Sequence, residues 1–167
     1  SVSLTGDVSA PPAITGVQLL RYVAKNQFEP LQALEDNAYL VLADLPEIIN
    51  FEAVSEDASQ TGSVKFLLEG PRRINRTENT AIFTMADSYS NLRLAKNDLP
   101  AGSYVLWVTP YSGTNGNGQA GATLRRSFTV SETRPASTVP AITSVQLLEY
   151  VSADTYAPVR TLVDGDV

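Results

Sequence analysis

The chain of 167 residues contains no cysteine and no histidine. Without cysteine no disulfide staples the fold, and neither a thiolate zinc site nor a cysteine nucleophile can be built. Without histidine the usual general base near neutral pH, the commonest zinc ligand and the Ser-His-Asp triad are all missing, and most hydrolase chemistry goes with them. Basic residues are scarce too, with 12 Lys+Arg against 18 Asp+Glu and a net charge of −6. That balance leaves no basic footprint for a phosphate backbone or an anionic membrane, so nucleic acid is not an expected partner. No apolar run approaches the roughly 18 residues that a spanning helix needs, so membrane insertion is not expected. A signal-type apolar segment is also missing, and the chain opens at Ser1 rather than methionine. The expectation is a protein of the cell surface or extracellular space whose signal peptide has been removed.

What is present is ordinary for a soluble globular protein: 43% hydrophobic and 18% charged residues. This length buries one good core and part of a second. The reason for the fraction is an internal repeat. Residues 12–36 (PAITGVQLLRYVAKNQFEPLQALED) align without a gap on residues 140–164 (PAITSVQLLEYVSADTYAPVRTLVD), with 13 of 25 positions identical and an offset of 128 residues. Shared positions include Ile14/Ile142, Val17/Val145, Leu19/Leu147, Tyr22/Tyr150, Pro30/Pro158 and Asp36/Asp164. The sequence therefore holds one complete unit and the opening of another. The expected organisation is a tail of a preceding unit or N-terminal extension over 1–11, a globular unit over 12–130, and a Pro/Ser/Thr-rich linker over 131–139. The first strand and turn of a following repeat then occupy 140–167.

Inside the unit the apolar pattern has period two, in short runs bounded by turn formers, which predicts strands rather than helices. Seven are expected: 17–23, 39–42, 48–54, 63–68, 80–85, 103–109 and 123–130. Turn-rich stretches separate them, among them Glu35-Asp36-Asn37, Ala43-Asp44-Leu45-Pro46, Gly70-Pro71 and Asn97-Asp98-Leu99-Pro100-Ala101-Gly102. Seven short strands without a convincing amphipathic helix predict an all-β fold of two packed antiparallel sheets, plus an extra strand from the partial second repeat.

Several phrases within residues 62–130 carry a resemblance. They are Gly62-Ser63-Val64-Lys65-Phe66-Leu67-Leu68-Glu69-Gly70, Arg76-Thr77-Glu78-Asn79, Leu99-Pro100-Ala101-Gly102-Ser103-Tyr104, Thr109-Pro110-Tyr111-Ser112-Gly113 and Ser127-Phe128-Thr129-Val130. Together they resemble the immunoglobulin-like repeat of large secreted bacterial surface proteins, often found beside malectin-like, cadherin-like or carbohydrate-active modules. The resemblance implies an immunoglobulin-like β-sandwich of about seven strands, acting as a spacer or adhesive repeat, with no catalytic residue, cofactor or metal to carry over. One strand departs from that pattern: where the family reads roughly Y-T-L-T-A-T-P-Y, this chain has Tyr104-Val105-Leu106-Trp107-Val108-Thr109-Pro110-Tyr111.

That departure supplies the first candidate site. If Tyr104, Leu106 and Val108 face the core, alternation turns Val105 and Trp107 outward. The same reading of residues 39–42 puts Leu40 and Leu42 inside and Tyr39 and Val41 outside. Tyr39, Val41, Val105 and Trp107 are thus the expected assembly surface, since burying such side chains is worth about 1.5–3 kcal/mol each. For Trp107 the competing readings are a subunit anchor, a sugar-stacking platform joined by Tyr111, and a ring covered by a loop of its own domain. The second candidate is the trailing repeat. Ile142, Val145, Leu147 and Tyr150 form the apolar face of a strand that is not stable alone, and the expectation is that it is donated to a sheet edge of another copy. The bland alternative is that the sequence stops partway into the next domain and the strand merely packs nearby.

Other features are read as structural. Arg76 and Glu78 suit an ion pair that anchors a loop better than a ligand site. The stretch from Gly113 to Gly121 lacks the lysine and the strand-to-helix setting of a phosphate cradle and reads as a hairpin loop. Asp36, Asp44, Glu47, Glu56 and Asp57 offer oxygens for Ca²⁺ but not the ordered loop of alternating acids that binds it. No carboxylate pair stands out as a glycosidase dyad. The sequence points to a non-enzymatic module whose partners are copies of itself, neighbouring repeats or a polysaccharide.

Overall fold

The computed structural model describes residues 10–24, 27–86, 94–134, 145–153 and 155–162. The chain divides into two units, Ser1–Arg134 and Pro135–Val167. The first contains β1 (Ile14–Ala24), β2 (Gln27–Ala33), β3 (Ala38–Val41), β4 (Ile48–Ser55), β5 (Ser63–Glu69), β6 (Ile74–Glu78), β7 (Leu94–Ala95), β8 (Gly102–Tyr111) and β9 (Leu124–Ser131). They form a four-stranded sheet of order β2-β1-β4-β7 and a five-stranded sheet of order β3-β9-β8-β5-β6. The two pack face to face as a β-sandwich. With β1, β4 and β7 in one sheet and β9, β8 and β5 in the other, the chain alternates between sheets in the order of an immunoglobulin-like sandwich.

Alternation explains the core. Tyr104, Leu106 and Val108 of β8 lie opposite Ile49, Phe51 and Ala53 of β4, all within a few per cent of complete burial, and Val64, Phe66 and Leu68 of β5 join them. Phe128 of β9 lies between the sheets, stacked on Tyr104 at 5.2 Å and tilted against Phe51 at 5.7 Å. Leu34, fully buried, sits where the chain leaves β2 and crosses to the other sheet. Arg126 Nε donates to the Leu34 carbonyl oxygen at 3.0 Å, and the Asp36 carboxylate accepts the Ser127 amide at 2.7 Å. These contacts steer β3 into parallel pairing with β9, among the described residues the one departure from the antiparallel arrangement expected of these sheets.

The strand expected over 80–85 is reduced to an isolated bridge between Thr84 and Glu52. The segment still runs along β4, with Ala53 N–H to Phe83 O at 2.9 Å and Met85 N–H to Phe51 O at 2.8 Å, and it still buries Phe83 and Met85. Its apolar alternation reported burial correctly, but at Ala86 the Asn50 side chain takes the place of a ladder partner, with Ala86 N–H to Oδ1 at 2.8 Å and Nδ2 to Ala86 O at 2.6 Å. Strand β7 pairs with β4 through Ile48↔Ala95 and Ile49↔Leu94. The strands β2, β6 and β7 carried no period-two signal: β2 contains Pro30, β6 follows Ile74 with Arg76 and Glu78 on the same face, and β7 has two residues. The expected tail over 1–11 falls almost wholly outside the described residues, as does the linker beyond Arg134.

The second unit forms β10 (Val145–Ser152) and β11 (Thr155–Leu162), paired antiparallel in a two-stranded sheet. The expected single strand and turn is therefore a hairpin.

Candidate functional site

Hairpin β10–β11 repeats hairpin β1–β2 register for register. Gln18↔Ala33, Leu19↔Gln32, Leu20↔Pro30, Arg21↔Glu29, Tyr22↔Phe28 and Ala24↔Gln27 pair in the first. Gln146↔Thr161, Leu147↔Arg160, Leu148↔Pro158, Glu149↔Ala157, Tyr150↔Tyr156 and Ser152↔Thr155 pair in the second. Each partner is displaced by the same 128 residues as the repeat. Both hairpins break register at the same two places, after Leu19 and Leu147 and after Tyr22 and Tyr150. A proline sits beside the first break in each, Pro30 and Pro158, where an edge strand tolerates the missing N–H. Even the aromatic pairs agree: Tyr22 meets Phe28 edge to face at 5.6 Å, and Tyr150 meets Tyr156 at 5.7 Å.

What differs is cover. In the first unit β1 pairs with β4 on its other edge, and Leu19 and Leu20 are 0% and 2% exposed. Their equivalents Leu147 and Leu148 are 46% and 48% exposed, and Tyr150, Val151, Tyr156 and Val159 are exposed as well. Of the residues expected to form a donated strand, Leu147 and Tyr150 therefore present apolar surface. Val145 lies at the start of β10, and Ile142 falls outside the described residues. Leu148, Tyr156 and Val159 were missed, though the repeat itself carried the signal: Leu20, Phe28 and Leu31 stand at the same places in β1 and β2.

The expected assembly surface lies on the outer face of the five-stranded sheet. Tyr39 is exposed, while Val41, Val105 and Trp107 are half-buried. They do not form one cluster. Strand β9 runs between β3 and β8 and presents Ser127, Thr129 and Ser131 there, because Tyr39 pairs with Thr129 and Val41 with Ser131. Two strand spacings, about 10 Å, separate the two pairs. Trp107 instead faces Leu67 across to β5 and Arg125 across to β9. The apolar strip on this face is therefore Val105, Trp107 and Leu67.

The remaining candidates are engaged within the protein, Glu56 apart, which is exposed. Arg76 and Glu78 form an ion pair at 2.9 Å, and the Glu78 carboxylate also accepts the Asn79 and Thr80 amides at 2.9 Å, which fixes the loop after β6. The glycine-rich loop joins β8 to β9. Ser63 Oγ donates to Gly113 O at 2.6 Å and accepts the Gly116 amide at 2.9 Å, while Asn115 and Asn79 exchange hydrogen bonds. Asn115 takes a left-handed conformation at φ 59°, which asparagine tolerates.

Asp44 pairs with Arg134 and Glu47 with Lys96, at 2.6 and 2.8 Å. Hydrogen bonds from Ser127, above all from its hydroxyl, hold the Asp36 carboxyl below its ordinary pKa, and Ser59 does the same for Asp57. Among the described residues no three such acids converge on one point. A shallow cleft beside β4 is lined by Glu52, Ser55, Ala58, Ile82 and Phe83, among others, and among the described residues Glu52 is the carboxylate in its lining. Burial pushes the Glu52 pKa up. No helix among the described residues is long and apolar enough to cross a membrane. Comparison with known protein families, curated proteins and solved structures finds nothing that matches this chain.

Proposed function

We propose that this chain is a structural or adhesive module of an extracellular, cell-surface protein built from tandem immunoglobulin-like repeats, with no catalytic role. The observation that carries the reading is the pair of hairpins matched in sequence and register at a spacing of 128 residues. A chain that restates the opening of its sandwich at the end of that sandwich is the plan of a tandem array, in which each unit needs only its neighbours. The absence of histidine and cysteine and the net charge of −6 agree with a role in contact rather than chemistry. The resemblance of residues 62–130 to repeats of secreted bacterial surface proteins supplies the setting.

The test is the native polypeptide. An antibody raised against the sandwich, applied to fractionated source cells, is expected to detect a polypeptide of several units in the surface or secreted fraction. A single-unit polypeptide confined to the soluble interior contradicts the proposal.

A second reading, a carbohydrate-binding module, is favoured by one observation: Trp107 lies half-buried on an outer sheet face beside Leu67, with Tyr111 further along the same strand. Aromatic faces of this kind stack on sugar rings. Affinity electrophoresis against a panel of polysaccharides tests it. Retardation lost in Trp107→Ala favours sugar binding, and unretarded migration on every polysaccharide removes it.

A further inference from the structure

We propose that the outer face of the five-stranded sheet binds an acidic polysaccharide built of uronate sugars, with Trp107 stacking on one ring and Lys65 and Arg125 each taking a carboxylate. This rests on the carbohydrate-binding reading and names the class of sugar. Register carries it. Leu67, Trp107 and Arg125 stand side by side on β5, β8 and β9, and the next row holds Lys65, Thr109 and Thr123. Their neighbours Phe66, Leu68, Leu106 and Val108 are fully buried, so alternation turns this set away from the core. Trp107 is nevertheless half-buried. On an open sheet a large ring reaches that burial by lying down over its neighbours, which leaves one ring face in solvent. A sugar offers such a face its own C–H groups, and Leu67 extends the apolar floor.

The cations select the sugar. Arg125 is the neighbour of Trp107 on β9 and Lys65 lies diagonally from it on β5, so a cation flanks the ring on each side. Two strand spacings, about 10 Å, separate their strands, far enough to take carboxylates of two different sugars. Lys65 is exposed and, among the described residues, pairs with no carboxylate. Arg125 has Asp36 beside it at 3.8 Å, but Asp36 Oδ1 already accepts the Ser127 amide and hydroxyl at 2.7 and 2.6 Å. The guanidinium therefore keeps N–H donors in the forked geometry that suits a carboxylate. Glu69, opposite Val105 on the same face, is held by Arg73 at 3.7 Å. The hydroxyls of Thr109 and Thr123, 2.8 Å apart, add donors and acceptors for sugar hydroxyls. Because the chain as a whole carries −6, a densely sulfated polymer meets repulsion over most of its contact, whereas separate carboxylates meet two placed cations.

Affinity electrophoresis in gels holding polygalacturonate, alginate or hyaluronate tests this, each run beside the same polymer with its carboxyls methyl-esterified. Retardation is expected on at least one acidic polymer. It is expected to vanish on the ester, in Trp107→Ala, and at about 1 M salt, where the screening length falls to about 3 Å. Lys65→Gln and Arg125→Gln are each expected to weaken it about threefold to tenfold, as the loss of one charge-assisted contact does. Both side chains are exposed, so these variants keep the fold even where Trp107→Ala does not. The uronate proposal is overturned by no retardation on any acidic polymer, by equal retardation on acid and ester, by unchanged retardation in both charge variants, or by stronger retardation on dextran sulfate. Equal retardation on acid and ester that Trp107→Ala abolishes leaves the carbohydrate-binding reading standing. Free migration on every polysaccharide, neutral ones included, removes both.

Discussion

The Tyr104 hydroxyl donates a hydrogen bond to the Pro100 carbonyl oxygen at 2.8 Å, while its ring is buried to 1% exposure against Phe128. This ties the turn that enters β8 to the strand itself and is the tyrosine corner of immunoglobulin-like sandwiches. The Leu99-Pro100-Ala101-Gly102-Ser103-Tyr104 run thus encodes a corner as well as a turn. Tyr104→Phe keeps the packing and removes the bond. It is expected to lower unfolding stability by about 1 kcal/mol, read as a drop in urea midpoint without a change in slope.

Leu19 and Leu147 are the same residue in the same register of two hairpins, one buried and one half exposed. Leu19→Ala is expected to cost the sandwich about 2–5 kcal/mol through lost transfer energy and a cavity. Leu147→Ala is expected to shift the same transition by less than about 0.5 kcal/mol, as an exposed position does. Paired denaturation curves of the two variants check this.

Asp36 supplies an acid-sensitive latch at the crossing between sheets. Its folded pKa is lowered by the hydrogen bonds from Ser127, so the stability it contributes is present above the unfolded value of 3.8 and is lost as pH falls through the folded value. Asp57 acts in the same direction through Ser59. Glu52 acts oppositely. Burial raises its pKa above 4.5, so its charge opposes folding at neutral pH and acid relieves it. Asp36→Asn is therefore expected to lower stability at neutral pH and to converge with the parent protein below 3.8. Urea midpoints measured across that window give the comparison.

Gly62 sets up the entry to β5. A Cβ built there meets Ser112 O at 2.5 Å and the carbonyl carbon of Gly113 at 2.7 Å, both backbone atoms that cannot swing aside. Gly62→Ala must separate β5 from the loop after β8. The expected cost is about 1–3 kcal/mol, measured by thermal unfolding.

Much of this architecture was legible because alternation reports burial. Residues 48–54, 63–68 and 103–109 read as strands and are strands. Leu40, Tyr104, Leu106 and Val108 were placed inward and are buried. Alternation does not report pairing. The segment 80–85 buries Phe83 and Met85 as its pattern implies, yet it forms an isolated bridge to Glu52, and the Asn50 side chain rather than a ladder partner holds Ala86. Nor does it report which strand is a neighbour of which. Tyr39 and Trp107 both leave the core, but the parallel docking of β3 on β9 places a row of serine and threonine between them. Strand β2 was hidden by Pro30, a residue ordinarily read as a strand breaker, which here sits at a bulge. The repeat could have revealed it, because Pro158 interrupts β11 at the same place.

The central claim is that residues 145–162 rebuild the opening hairpin of the sandwich without the cover that the first copy enjoys. Residue-resolved amide hydrogen exchange on a dilute solution of these 167 residues tests it most directly. The amides of Leu19 and Leu20 are expected to exchange only through global unfolding, and those of Leu147 and Leu148 through the easy local opening of a two-stranded sheet. Equal, slow exchange at all four positions in the dilute monomer would contradict the account, because the second hairpin would then be sheltered by its own subunit.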